Sequence, residues 1–371
     1  MSAVAEVRTI RISEANRHIR RVLKKKRPIF LWGPPGIGKS ELVESVGASG
    51  DLGLTKVIDM RLALFEPTDL RGYPVPDVAS GVMKWLPPAD LPTAEMAAKY
   101  DTIILFLDEL NSAAPSVQAA AYQLILNRRI GQYVLPDNVV IIAAGNRETD
   151  KGVAYRMPKP LENRFVHFEL RVDFDDWLSW AVAPENNINP DIVGYLSFAK
   201  GDLYNFDPSS SSRGFATPRS WTFTSELLED DEDMPESELV DLVAGCVGEG
   251  IAIKFAAHRK VAKDMPNPTD ILAGKVKTMQ SKEISAMYSL ATNLCYELRE
   301  MYVNGEKAKS LDKFHKGFSN FISFMLDNFE TEMTVMASRI AMKNYKLVPK
   351  QDKIERFEEY FGRYGRLVLD S

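Results

Sequence analysis

Residues 28–40 read Pro28-Ile29-Phe30-Leu31-Trp32-Gly33-Pro34-Pro35-Gly36-Ile37-Gly38-Lys39-Ser40, and their order decides the fold. A short apolar run ending at glycine reads as a strand buried on both faces of a parallel sheet. The glycines of Gly33–Ser40 let backbone N–H groups close around phosphate oxygens without Cβ clashes. Lys39 supplies a point charge for β and γ phosphates. Ser40 offers a hydroxyl to a divalent ion, and a helix opening there adds its positive end. Strand, glycine loop and helix stand in the order that a phosphate site requires. Pro34, Pro35 and Ile37 occupy variable positions of the Gly-x-x-x-x-Gly-Lys-Ser pattern. The competing reading is a glycine turn before an ordinary helix.

Working outward, residues 9–26 predict an amphipathic helix with Ser13 as a cap and Ile12, Ile19, Val22 and Leu23 inside. Strands are expected at 56–60, 102–107, 139–144 and 164–170, and helices at 41–48, 91–100 and 115–126. Val82–Trp85 is expected to pair back across Ser80-Gly81 as a hairpin. Alternating strands and helices mean a parallel sheet covered on both faces. Beyond residue 172 only helices are expected: 175–183, 191–199, 218–228, 238–262, 284–304 and 311–329. Residues 207–217 read as a mobile loop.

Two of the strands end in chemistry. Ile103–Leu107 runs into Asp108-Glu109, where Asp108 is placed to hold a Mg²⁺ shell and Glu109 to orient the attacking water. Ile141–Ala144 ends at Gly145-Asn146, whose amide reaches a γ-phosphate or that water. Alone, an acidic pair capping a strand is a weak signal. Downstream of a phosphate loop it is strong.

The chain has 371 residues, 45% of them hydrophobic and 26% charged. That allows two or three packed units, since one core rarely exceeds roughly 250–300 residues. The net charge of −5 disfavours a dedicated nucleic-acid binder. Basic residues cluster only locally, in Arg20-Arg21 and Lys24–Arg27, and read first as a solvated helix end, with nucleic-acid contact the alternative. Cys246 and Cys295 lie in no Cys-x-x-Cys pattern, and the histidines lack metal-ligand spacing. No run of about 18 apolar residues predicts a membrane span, and no apolar leader opens the chain. A cytoplasmic, reducing setting is the default expectation.

The succession Gly33-Pro-Pro-Gly-x-Gly-Lys-Ser40, Leu107-Asp-Glu-Leu-Asn111, Ala143-Ala-Gly-Asn146 and Leu161-Glu-Asn-Arg-Phe165 resembles the AAA+ superfamily. Asp69-Leu70-Arg71-Gly72-Tyr73-Pro74 and the Asp108–Asn111 box resemble its MoxR-like branch, related to dynein-type and midasin-type modules. The resemblance covers residues 28–225 and leaves the last 90 or so residues unplaced. It implies an α/β P-loop core with a central parallel sheet over residues 1–171, an α-helical lid over 172–279 and a C-terminal helical extension over 280–371. Residues 66–92 match an insert that faces a ring's central pore, with a plain surface loop as the alternative. Trp85 and Tyr73 are candidate substrate contacts there, although core packing suits them equally.

Roles carry over position by position. Arg164 matches the arginine finger that reaches a neighbouring subunit's γ-phosphate, an effect worth about 10³-fold or more. Arg156 is the competing finger. Arg219, in Thr217-Pro218-Arg219-Ser220, matches the sensor arginine that contacts the phosphates from the same subunit. Arg147 stands where many relatives carry proline. The resemblance implies ATP and Mg²⁺ as ligands and a homo-oligomeric ring, most often a hexamer. It also implies a protein client remodelled or activated by hydrolysis, with a von Willebrand A domain protein as a possible partner. A nucleic-acid motor or clamp on the same core is the alternative function.

Overall fold

The computed structural model describes residues 8–147, 150, 155, 157–210, 212–229, 234–279 and 283–369. The chain divides into two compact units, Met1–Asp173 and Phe174–Ser371. Among the described residues the first is built on ten strands: β1 (Thr9–Ile10), β2 (Ile29–Trp32), β3 (Thr55–Arg61), β4 (Tyr73–Asp77), β5 (Val82–Leu86), β6 (Thr102–Asp108), β7 (Arg129–Ile130), β8 (Tyr133–Val134), β9 (Val139–Gly145) and β10 (Val166–Leu170). Six of them form one sheet in the order β1-β10-β2-β9-β6-β3, with every pair parallel. The others pair as the antiparallel hairpins β4–β5 and β7–β8.

Among the described residues the α-helices beside the sheet are α1 (Ile12–Leu23), α2 (Lys39–Ala48), α3 (Pro67–Arg71), α4 (Ala94–Ala97), α5 (Pro115–Asn127) and α6 (Lys159–Glu162). Both faces of the sheet are covered, as the apolar runs demand. Along β6, Ile103, Leu105 and Leu107 join a buried cluster with Val117, Ala121 and Leu124 of α5. Side chains alternate across a strand, so Ile104 turns to the other face, where α2 lies. There a Cβ on Gly47 would stand 2.8 Å from Val57 and 3.9 Å from Ile104, so glycine permits the close approach of α2 to β3.

Local departures have local causes. The first helix starts at Ile12, not residue 9, because Thr9–Ile10 pair with β10 as an edge strand. Its cap is not Ser13: the Arg11 N–H donates to the Glu14 carboxylate at 3.0 Å. The helix expected over 91–100 shrinks to Ala94–Ala97, where Thr93 accepts from the Met96 N–H at 3.1 Å.

The second unit is helical: α7 (Phe174–Ala181), α8 (Pro190–Phe198), α9 (Pro218–Leu227), α10 (Glu236–Val247), α11 (Glu249–Ala262), α12 (Pro268–Leu272), α13 (Ile284–Lys307), α14 (Asp312–Asn328), α15 (Thr331–Ser338) and α16 (Phe357–Leu369). The single helix expected over 238–262 is two, parted at Gly248, which takes φ +93° and would place a Cβ 3.0 Å from the Gly214 carbonyl oxygen. The loop expected over 207–217 is partly pinned by a bridge between Asn205 and Ala216 and by packing of Phe206 on Phe215 at 4.8 Å. Helix α13 is central and buried along Ser285–Cys295, packing on α8, α11, α12, α14 and α15. The stretches expected as lid and extension therefore pack together in one unit. At the α8–α13 crossing, a Cβ on Gly194 would meet Ser289 at 2.6 Å.

Beside that crossing, buried His258 lies 2.6 Å from the Ser289 hydroxyl through Nε2. Burial pulls its pKa down from 6.5 to about 4, against a weaker opposite pull from Asp191. The folded chain holds this imidazole neutral and the unfolded chain protonates it first. Its contribution is complete above pH 6.5 and is lost as pH falls toward 4, on the order of 2–3 kcal/mol. Urea unfolding at pH 7.5, 6.0 and 5.0 should show a steeper loss of stability for wild type than for His258→Gln. Parallel pH profiles would contradict a buried neutral histidine.

Candidate nucleotide site

Parallel strands all end at the same edge, and that edge of the first sheet collects the predicted phosphate residues. β2 ends at Trp32 and the loop Gly33–Gly38 leads into α2 at Lys39. Gly36 and Gly38 take φ +75° and +91°, backbone that L side chains rarely adopt. A Cβ on Gly33 would stand 2.7 Å from Ile37 and 3.3 Å from Leu170. The loop thus wraps backbone around the positive end of a helix, a fit for phosphate.

The Lys39 ammonium donates to the carbonyl oxygens of Gly33 at 2.8 Å and Pro34 at 3.0 Å, and to Asn146 Oδ1 at 3.1 Å. It therefore links the loop to the tip of β9. Register puts these tips side by side, with Trp32 opposite Gly145. From the next strand, Asp108 Oδ2 accepts from the Ser40 hydroxyl at 3.5 Å. One hydroxyl and one carboxylate suit Mg²⁺, which usually takes few protein ligands and completes its shell with phosphate and water.

Glu109 takes φ +55°, a strained conformation for a residue with a side chain. Its N–H donates to Asp108 Oδ1 at 2.9 Å, and its carbonyl accepts from the N–H groups of Ser112 and Ala113. The turn is held from both sides, so Glu109 directly follows the Mg²⁺-type ligand at the sheet edge.

Two contributors went unassigned in the sequence. Asn111 is buried and donates through Nδ2 to the Asn146 carbonyl at 2.8 Å, tying the β6 tip to the β9 tip. Gly145 makes that possible, since a Cβ there would lie 2.1 Å from Asn111 Oδ1. Asp59 on β3 is the other. Partial removal from water, then the charge of Asp108, raises its carboxyl above the usual range. Its signal was an acid inside the apolar run Val57-Ile58-Asp59-Met60.

Arg147, the departure from proline, is anchored. It pairs with Glu169 and donates through Nη2 to the Leu170 carbonyl at 2.7 Å, joining the β9 tip to the end of β10.

Residues 29–172 match the family model described as "ATPase family associated with various cellular activities (AAA)". That stretch, 144 of the 371 residues, is similar to AAA ATPase modules. Midasin from Giardia intestinalis is 28% identical over 186 residues, which are 48% of this chain but 4% of midasin's length. Among solved structures, an ATPase from Cytophaga hutchinsonii is 14% identical, aligned over 89% of this chain and 79% of its own, with a TM-score of 0.35. NtrX from Brucella abortus, solved with ADP, is 14% identical over 93% of this chain and 70% of its own, with a TM-score of 0.38.

The first unit does not bring every arginine to the phosphate edge. Arg164 sits just ahead of β10, which runs parallel to β2 with Val166 opposite Ile29. It therefore lies at the edge where strands start, away from Gly33–Ser40. Arg219 belongs to the second unit, exposed in the first turn of α9, where Thr217 and Ser220 cap reciprocally. Arg156 lies outside the described residues. In the insert, Gly72 takes φ +81°, and a Cβ there would overlap the Leu86 carbonyl oxygen. The β4–β5 hairpin it launches exposes Tyr73, Val82, Met83 and Leu86, and Trp85 stands 36% exposed rather than in a core.

Gly145→Ala should displace Asn111 and with it Asn146, lowering both melting temperature and nucleotide affinity. Because the contacts shorter than 3.0 Å are all with Asn111, with the Phe30 ring next at 3.0 Å, Asn111→Ala should relieve most of the clash, giving a coupling of about 1–3 kcal/mol in a double-mutant cycle of stability. Additive effects would remove Asn111 from the support of Asn146.

Proposed function

We propose that this chain is an ATP-driven remodelling motor that works as a homo-oligomeric ring, most often a hexamer, with each hydrolysis site shared by two copies. One observation carries the reading: the phosphate loop and Arg164 occupy opposite edges of one parallel sheet. A finger at the start edge cannot serve the loop of its own sheet. It suits the loop of the next copy in a head-to-tail, heterologous contact, which closes into a ring.

Gly33, Pro34, Pro35, Gly36, Ile37 and Gly38 wrap the polyphosphate, and Lys39 neutralises it. Ser40 and Asp108 would hold Mg²⁺, which would supply positive charge to offset the charge developing on the phosphates. Glu109 orients and polarises the attacking water, and Asn146 fixes its position by a hydrogen bond. Arg164 stabilises transition-state charge from the neighbouring copy. Arg219, on the second unit, is assigned the phosphate-sensing role that the family resemblance gives it.

The exposed β4–β5 hairpin supports a client that is a protein, engaged through Tyr73 and Trp85 in the ring's pore, in a MoxR-like chaperone role. A von Willebrand A domain protein is the partner this branch suggests. No described helix is long and apolar enough to cross a membrane, and a cytoplasmic setting is proposed.

Lys39→Ala should abolish binding of a fluorescent ATP analogue; retained binding would remove the loop from the site. Glu109→Gln should bind ATP and turn it over at least about 10²-fold more slowly, whereas normal turnover would exclude Glu109. Mixed one to one, inactive Arg164→Ala and Lys39→Ala chains should regain activity, since about one quarter of heterologous interfaces then join an intact site to an intact finger. Mixtures as inactive as their components would refute a finger acting between copies.

A further inference from the structure

The start edge of the first sheet is basic. Lys24–Arg27 follow α1, Arg128 and Arg129 follow α5, and Arg164 follows α6. Four of these, Lys26, Arg27, Arg128 and Arg164, line one cavity of about 180 Å³, together with the apolar Pro28 and Ile141. Their convergence is three-dimensional, because three separate chain segments supply them.

Among the described residues none of the four meets a carboxylate. Arg128 is the one engaged through its side chain, donating Nη2 to the carbonyl oxygens of Pro136 at 2.7 Å and Val139 at 2.9 Å. Those bonds hold its guanidinium in place and leave its other N–H groups available. Elsewhere in the same unit, Arg11, Arg20, Lys84, Lys99, Arg147 and Lys159 each pair with an acid. In a chain with five more acids than bases, four cations gathered around one cleft without a carboxylate reverse the net charge locally. The helix ends of α1 and α5 offset it by roughly half a charge each, which leaves about three positive charges uncompensated.

The opposite edge has the reverse sign. Glu41 and Glu44 on α2, Asp59 on β3, Asp108 at the end of β6 and Glu109 after it outnumber Lys39 and Arg61 there. Burial, then Asp108, raises the Asp59 carboxyl, Arg61 pulls the other way, and Glu44 and Glu109 add smaller repulsions. Bound polyphosphate would add to them. One sheet thus carries a cationic start and an anionic finish.

We propose that Lys26, Arg27 and Arg128 form, around Arg164, a receptor for phosphate and carboxylate groups whose occupant is the nucleotide-loaded edge of a second copy of this chain. The proposal rests on the reading of Arg164 as a finger acting between copies and adds to it. Arg164 reaches the reacting phosphate, while the other three neutralise the charge around it and fix the docking register. Complementary edges of this kind steer association and make it sensitive to salt. A lone finger would change turnover with little effect on assembly, whereas this cluster ties the two together.

The test uses the full chain with Lys26→Gln/Arg27→Gln, both exposed positions. ATP turnover at saturating nucleotide should fall about 10-fold or more, while binding of a fluorescent ATP analogue to the chain's own loop stays within about two-fold. Adding Glu109→Gln chains, which keep the cleft, should restore turnover. Added salt should depress the wild type more than the variant. Turnover near wild type while Arg164→Ala collapses would overturn this proposal and leave the finger reading standing. Normal turnover in Arg164→Ala would overturn both. Failure of Glu109→Gln chains to rescue would place the cleft's action within one copy and overturn the proposal. Unchanged turnover with lost binding of a single-stranded DNA oligonucleotide would assign the cleft to nucleic acid instead. If thermal melting shows that the double variant is unfolded, Arg27→Gln alone carries the same comparison.

Discussion

Parallel pairing of β2 with both β9 and β10 is the constraint on which the rest of the first unit depends. A parallel sheet has two unlike edges, one where strands begin and one where they end. Backbone direction alone therefore brings Gly33, Asp108 and Asn146 to one side and leaves Arg164 on the other. Side-chain bonds then refine what direction has arranged. Lys39 spans from the phosphate loop to Asn146, Asn111 ties β6 to β9, and Arg147 ties β9 to β10. The first two links join the tips of neighbouring strands and Arg147 reaches across β2, which lies between β9 and β10, so the phosphate edge is held as a connected row rather than as separate loops.

Left-handed backbone marks both edges: Lys26 and Arg128 adopt it where strands begin, and Gly36, Gly38 and Glu109 on the phosphate edge. For the glycines this costs little, and for Glu109 the turn is stabilised by hydrogen bonds on either side. Such strain is tolerated where the surroundings over-determine it, and here the surroundings are the strands that deliver Asp108 and Asn146. The hairpin at residues 73–86 depends on a similar device at Gly72, used to send two strands away from the sheet with apolar side chains exposed.

Much of this was legible in the sequence. The buried strands announced themselves as apolar runs because a parallel sheet covered on both faces has no polar side to show. The glycine loop and the acids at a strand's end were legible because their chemistry needs those residue types in that order. Other features were not, each for a physical reason. Gly248 breaks a helical pattern that periodicity alone would carry through, because the approach of Gly214 is a tertiary fact. Asn111 and Gly145 act as a pair across two strands, which no single strand's pattern reveals. The four cations of the start edge come from three segments, and only strand order brings them together. Residues 284–307 read as a helix, but not as the buried centre of the second unit.

The account's central claim is that hydrolysis belongs to an assembly and not to a single copy. Specific ATP turnover measured against chain concentration, with sedimentation velocity on the same samples, tests it most directly. The account predicts that turnover per chain is near zero where the chain sediments as a monomer and rises in step with assembly to a plateau. Turnover per chain that stays constant down to concentrations at which only monomer sediments would contradict it.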